Sequence, residues 1–131
     1  MTLDEQDRQN LIRIRVDKAR QALNDAAFLL SGQRLNGAVN RIYYAAFYLI
    51  SALAFKHGFA TSKHRQIIGW FNKEFVKQGK ASTQAGKFIH NAYDKRSLGD
   101  YDDFVRFSPE DVSSMLEEAK AFVEEINALI S

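Results

Sequence analysis

At 131 residues the chain has the length of one ordinary domain, and its 46% apolar content is enough to fill a core, which excludes a disordered polymer. Eighteen basic and sixteen acidic side chains leave a formal charge of only +2, so the total lacks the strongly basic signature of many nucleic-acid-binding domains, although a local patch can still be basic. No cysteine is present, which excludes disulfides, thiolate nucleophiles, sulfur-ligated zinc and iron–sulfur centres.

The run Met1-Thr2-Leu3-Asp4-Glu5-Gln6-Asp7 is polar and acidic, the opposite of a signal peptide. The longest apolar stretch, Ile42 to Phe55, is about 14 residues and is interrupted by tyrosines and Ser51, short of the roughly 20 that a spanning helix needs. Both features lead us to expect a cytoplasmic protein with no membrane segment, folded as a single domain over residues 1–131.

Glycine supplies the punctuation, because a helix C-cap favours a residue free to turn left-handed. The first predicted helix runs from about Asp4 to Leu30 and stops at Ser31-Gly32. Its apolar stripe is Ile12, Val16, Ala19, Leu23, Ala26 and Leu30, at steps of three and four. The second, from about Asn36 to His57 before Gly58, is apolar nearly all round, which marks a helix contacted from several sides, one of them available to a second copy of the chain. The third spans about Lys63 to Lys77 before Gly79 and carries Ile67, Ile68, Phe71 and Phe75. The fourth starts at Ser82, carries Ala85, Phe88, Ile89 and Ala92, and ends in Lys95-Arg96, cations suited to a helix C-terminus, before Gly99. The fifth begins with Ser108 as N-cap and Pro109 at the first helical position, followed by Glu110 and Asp111. No strand-period run or internal repeat occurs. The expected fold is all-α, an antiparallel up-and-down bundle of four to five helices.

No glycine-rich phosphate loop and no pair of histidines four apart is present. The carboxylates of Asp100, Asp102 and Asp103 are either oxygen ligands for a divalent cation or a solvated acidic loop. Arg96 extends the stripe of Ala85, Ile89 and Ala92 and so points toward the bundle, where a guanidinium needs a partner: a carboxylate such as Asp100 or Asp103, or a bound phosphate. Arg41 beside Tyr43 and Tyr44 poses the same choice, since tyrosines there serve either as core with a satisfied hydroxyl or as a stacking surface beside a phosphate-gripping arginine. His64, at the start of the third helix, is a general base, a phosphate contact or an inert first-turn residue. His57 and His90 have nothing to single them out.

Three segments carry a family resemblance. Asn40-Arg41-Ile42-Tyr43-Tyr44-Ala45-Ala46-Phe47 resembles the second-helix signature of small HEPN proteins. Ser62-Lys63-His64-Arg65-Gln66-Ile67-Ile68 with Phe71 resembles their third-helix start, and Arg96-Ser97-Leu98-Gly99-Asp100-Tyr101-Asp102-Asp103-Phe104 the segment before their last helix. The likeness spans roughly Asp17 to the C-terminus and is nearest to the short single-domain UPF0332 group. It implies a homodimeric helical bundle without a cofactor, a toxin-like protein encoded beside a minimal nucleotidyltransferase, and RNA or a nucleotide as ligand.

Active HEPN ribonucleases cut RNA without metal, using an arginine with a histidine shortly after it. An arginine suits the charge that develops on phosphate, and the base takes the 2′-hydroxyl proton. Here Arg96 is present, while the positions open to that histidine hold Tyr101, Asp102 and Asp103. The resemblance therefore assigns Arg96, Asp100 and His64 as candidate catalytic residues, with Asp102 an alternative base, and Arg41, Tyr43, Tyr44 and Tyr101 as candidate binding residues. Tyr101 is also the position where a nucleotidyltransferase would attach a nucleotide, which would put charge and bulk beside Arg96. A non-catalytic module that binds nucleotide or docks a nucleotidyltransferase, and a purely structural bundle, are the alternatives.

Overall fold

The computed structural model describes residues 4–131; Met1, Thr2 and Leu3, part of the polar start noted above, lie outside the described residues. Five α-helices form an antiparallel bundle: α1 (Glu5–Ser31), α2 (Leu35–Lys56), α3 (His64–Phe71), α4 (Thr83–Tyr101) and α5 (Pro109–Ile130), with a π-helical turn at Asn72–Val76. No strand occurs among the described residues.

Capping follows the sequence closely. Asp4 accepts from the Asp7 backbone N–H at 2.7 Å, and Ser108 accepts from that of Asp111 at 3.0 Å with Pro109 opening α5. Gly58 and Gly79 take the left-handed conformation, with φ of 80° and 73°, where a side chain would be strained. After α1 the left-handed residue is Gln33 (φ 59°), and Gly32 is not left-handed.

Two helix boundaries are corrected. The third segment is not one α-helix to Lys77: after Phe71 it widens, and the Lys77 N–H donates to the Asn72 carbonyl five residues back at 2.9 Å. The widened turn faces Gly86 of α4, where a Cβ would stand 3.2 Å from Asn72 Oδ1 and from both Val76 methyls, so the two backbones approach as closely as a glycine permits. The fourth helix does not stop at Lys95-Arg96 but runs through Gly99 to Tyr101. Gly99 is a packing glycine rather than a cap, since a Cβ there would meet Phe107 Cε2 at 3.2 Å. Lys95 and Arg96 therefore lie more than a turn from the helix end and owe little to its dipole.

The bundle closes around α2, which packs against α1, α3, α4 and α5. Ile42, Tyr43, Leu49, Ile50 and Leu53 are fully buried there, and each large apolar side chain so removed from water contributes about 1.5–3 kcal/mol before conformational entropy is charged. By length and composition α2 would suffice to cross a membrane, contrary to the expectation drawn from Ile42–Phe55 alone, yet its apolar surface is largely buried inside the bundle. Tyr44, Phe47, Tyr48 and Phe55 of α2 stay only partly buried.

The N-terminus of α4 is tied to α5. The Glu125 carboxylate accepts from the Ser82 backbone N–H at 2.7 Å and from its hydroxyl at 2.8 Å, while Ser82 Oγ accepts from the Ala85 N–H at 3.0 Å. Glu125→Ala strips the cap residue of both contacts and is expected to lower stability by about 1–2 kcal/mol, read as a fall in the urea midpoint at unchanged slope.

Candidate functional site

Successive residues on a helix point about 100° apart, so Tyr43 and Tyr44 leave α2 in different directions. Tyr43 is fully buried; Tyr44 lies at the margin, partly exposed. Across from them the first residue of α3, His64, brings its Nδ1 within 2.6 Å of the Tyr43 hydroxyl. The His64 ring lies on Phe47, one turn further along α2, with centroids 3.9 Å apart and planes 11° from parallel.

Arg96 enters from α4. Its guanidinium carbon sits 5.3 Å from the Tyr43 ring centre and 5.4 Å from that of Tyr44, and Nη2 donates to the Tyr44 hydroxyl at 3.0 Å. Because α4 continues through Gly99, Asp100 is four residues on in the same helix, with Oδ2 3.2 Å from Arg96 Nε. The Nε–H does not point at that oxygen. The contact is an ion pair without an aligned hydrogen bond, and Arg96 Nε is the one buried side-chain nitrogen or oxygen among the described residues with no hydrogen-bond partner.

Arg41 lies beside this cluster. Its Nε and Nη2 donate to Asn40 Oδ1 at 3.1 and 2.8 Å, and its guanidinium is 5.0 Å from the Tyr44 ring. Tyr44 thus contacts two guanidiniums.

Electrostatics follow from burial. The Tyr43 phenol is pushed far above its ordinary value, first by desolvation, with Tyr44 and Tyr93 adding and the Arg96 charge opposing. His64 is held below the usual histidine value by burial and then by Arg96. At neutral pH Tyr43 is protonated and His64 is neutral.

The structure therefore brings Tyr43, Tyr44, His64, Arg96 and Asp100 together, with Arg41 adjoining. It leaves Tyr101 apart. Five residues on from Arg96 is about 140° round the helix, and Tyr101, 81% exposed, lines a shallow groove of about 630 Å³ with Arg65, Tyr93, Ser97 and Leu98. The Tyr101 side chain thus opens on the groove that Arg65 lines. The acidic trio does not converge: Asp100 faces Arg96, Asp102 Oδ1 accepts from the Phe104 N–H at 2.9 Å, and the Asp103 carbonyl accepts from Arg106.

Two members of the cluster escaped the sequence reading. Phe47 carries the His64 ring, and Tyr93 meets Tyr43 edge-on at 5.8 Å. Phe47 was findable, since it follows Tyr43 by four residues on one helix face. Tyr93, three residues before Arg96, carried the same signal.

The HEPN domain family model matches residues 12–129, nearly the whole chain. The chain belongs to the HEPN family. A UPF0332 protein of Thermotoga maritima is 44% identical over 113 residues, 86% of each chain. Two proteins of Methanocaldococcus jannaschii are also similar, each named "Putative toxin": one is 29% identical over 82% of this chain and 74% of its own, the other 30% identical over 85% and 82%.

The depressed His64 value sets a pH dependence. The unfolded chain takes up a proton near pH 6.5 and the folded site resists it, so the stabilisation is complete above that pH and is lost as pH falls through the lower folded value. His57, also depressed by burial and by Lys56 and Lys80, acts in the same window. His64→Phe is expected to flatten, without abolishing, the loss of stability below pH 6.5 in urea titrations at a series of pH values.

Proposed function

We propose that this HEPN protein is a toxin-like, RNA-binding protein that holds a phosphodiester at Arg96, works as a cytoplasmic homodimer, and has a minimal nucleotidyltransferase as its partner. The observation that carries the RNA part is the state of Arg96: a guanidinium laid against two tyrosine rings with one donor unsatisfied. A buried donor without a partner costs about 1–3 kcal/mol, and a phosphate oxygen supplies the acceptor that Asp100 approaches without bonding. Asp100 is 39% exposed and free to swing away, whereas Arg96 is held by Tyr44. Lys63 and Arg65 flank His64, so the neighbourhood offers several cations despite the balanced total.

Binding is favoured over cleavage. The residues after Arg96 include no histidine, the base that the family's active ribonucleases place there. Nucleotidyltransferase docking is supported by the exposed end of α4, where Leu98 (49% exposed) and Tyr101 line one groove, with Phe104 (92%) exposed just beyond the helix and the Tyr101 side chain accessible for modification. The homodimer rests on the family likeness.

The test is binding of a short fluorescent single-stranded RNA, followed by anisotropy, with cleavage assayed in parallel in excess chelator. Arg96→Ala is expected to weaken binding at least tenfold, about 1.4 kcal/mol, with the helical circular dichroism retained. Equal binding by both proteins would sink the reading; cleavage that survives chelator and vanishes in Arg96→Ala would restore the nuclease.

A further inference from the structure

The contact between Tyr43 and His64 has a direction. Tyr43 is completely buried, and its hydroxyl has one hydrogen-bond partner, His64 Nδ1 at 2.6 Å. A buried hydroxyl that fails to donate forfeits a hydrogen bond with no water to replace it. Were Nδ1 protonated, the phenol oxygen would accept from it, and the phenolic hydrogen would turn into the core with no acceptor. Tyr43 must donate, and Nδ1 must accept.

A neutral imidazole carries its single hydrogen on one nitrogen, so with Nδ1 accepting, the proton is on Nε2. His64 Nε2 makes no hydrogen bond within the protein and is not among the buried unpartnered atoms, so it opens to solvent. The groups around the ring leave little to favour a second proton. From α2 it meets Tyr43, Tyr44 and Phe47, from α4 the Arg96 cation with Asp100 beyond it, and its chain neighbours are Lys63 and Arg65. Of the carboxylates in the neighbourhood, Asp100 lies against Arg96 and Asp94 acts on Arg65.

We propose that Tyr43 is a positioning residue that locks His64 as the neutral Nε2–H tautomer, so that His64 presents a hydrogen-bond donor, not a general base, to an oxyanion bound at Arg96. The tautomer lock stands on the buried pair alone; the oxyanion rests on the function proposed above. An Nε2–H cannot accept the proton of a ribose 2′-hydroxyl. To act as a base, His64 would have to move its proton to Nδ1 and break the Tyr43 bond, leaving a buried phenol unpaired. What the lock offers is a second donor beside the guanidinium that needs no protonation of the imidazole.

Long-range 1H–15N correlation on 15N-labelled full-length protein at pH 7.5 reads the tautomer, with His64→Gln assigning the signals among three histidines. The expected wild-type pattern is an unprotonated, hydrogen-bonded Nδ1 and a protonated Nε2. In Tyr43→Phe the two nitrogen shifts move toward one another as the tautomers mix, with the amide spectrum keeping its dispersion. A protonated Nδ1 in the wild type, or an unchanged tautomer in Tyr43→Phe, overturns the lock. Addition of a 2′-O-methyl dinucleotide, which cannot be cleaved, is expected to shift Nε2 in the wild type. A dinucleotide that binds through Arg96 but leaves Nε2 unmoved overturns the donor role while the phosphate site stands. One that does not bind at all removes the phosphate site and the donor role together, and the tautomer readout then decides the lock.

Discussion

The burial of most of α2 beneath the other four helices is the constraint from which the rest follows. A helix apolar around its whole circumference has no stable face for water, so four other helices must cover it. Once they do, any polar group on its buried turns has to find a partner inside the protein. Tyr43 is the sharpest case: its ring fills the core, and its hydroxyl is stranded unless another element brings an acceptor. The start of α3 brings His64, with Phe47 as the surface on which the imidazole lies. Core packing and the candidate site are therefore the same set of contacts seen from two sides.

Arg96 occupies the other edge of that arrangement. Taking a guanidinium out of water is costly, and it is offset here by two aromatic faces, one hydrogen bond to Tyr44 and a misaligned carboxylate. The compensation is incomplete, as the unpaired Nε records. A salt bridge with full compensation would align the Asp100 oxygen with Nε–H, which it does not do here. The geometry of Asp100 itself depends on Phe107, because close packing of that ring on Gly99 lets α4 run the extra turn that puts Arg96 and Asp100 on one helical line.

The HEPN scaffold thus holds an arginine, a histidine and two tyrosines from three helices in one place without the arginine–histidine spacing of the family's active ribonucleases. Local charge matters more than the near-neutral total: Arg41, Lys63, Arg65 and Arg96 lie on or beside α2, α3 and α4 near the cluster, while the acidic residues beyond Asp100 make their own turn contacts.

The number of helices, the caps at Ser82 and Ser108, the turns at Gly58 and Gly79 and the apolar stripe of α1 from Ile12 to Leu30 were legible in the sequence. Periodicity, capping oxygens and left-handed turns act within a few residues, so the chain states them locally. The likeness to HEPN proteins singled out Arg96, His64, Tyr43 and Tyr44, which the structure brings together, and Tyr101, which it sets apart. What only the tertiary structure decided was how these groups meet. The Tyr43–His64 bond closes over 21 residues of sequence and the Arg96–Tyr44 bond over 52. The end of α4 misled because Gly99 reads locally as a cap, yet a ring eight residues away makes it a packing glycine. The π turn after Phe71 has no period of its own and answers to the approach of Gly86 from another helix. Local rules set which segments become helices, whereas the partners of a buried hydroxyl or guanidinium depend on what packing brings across the core.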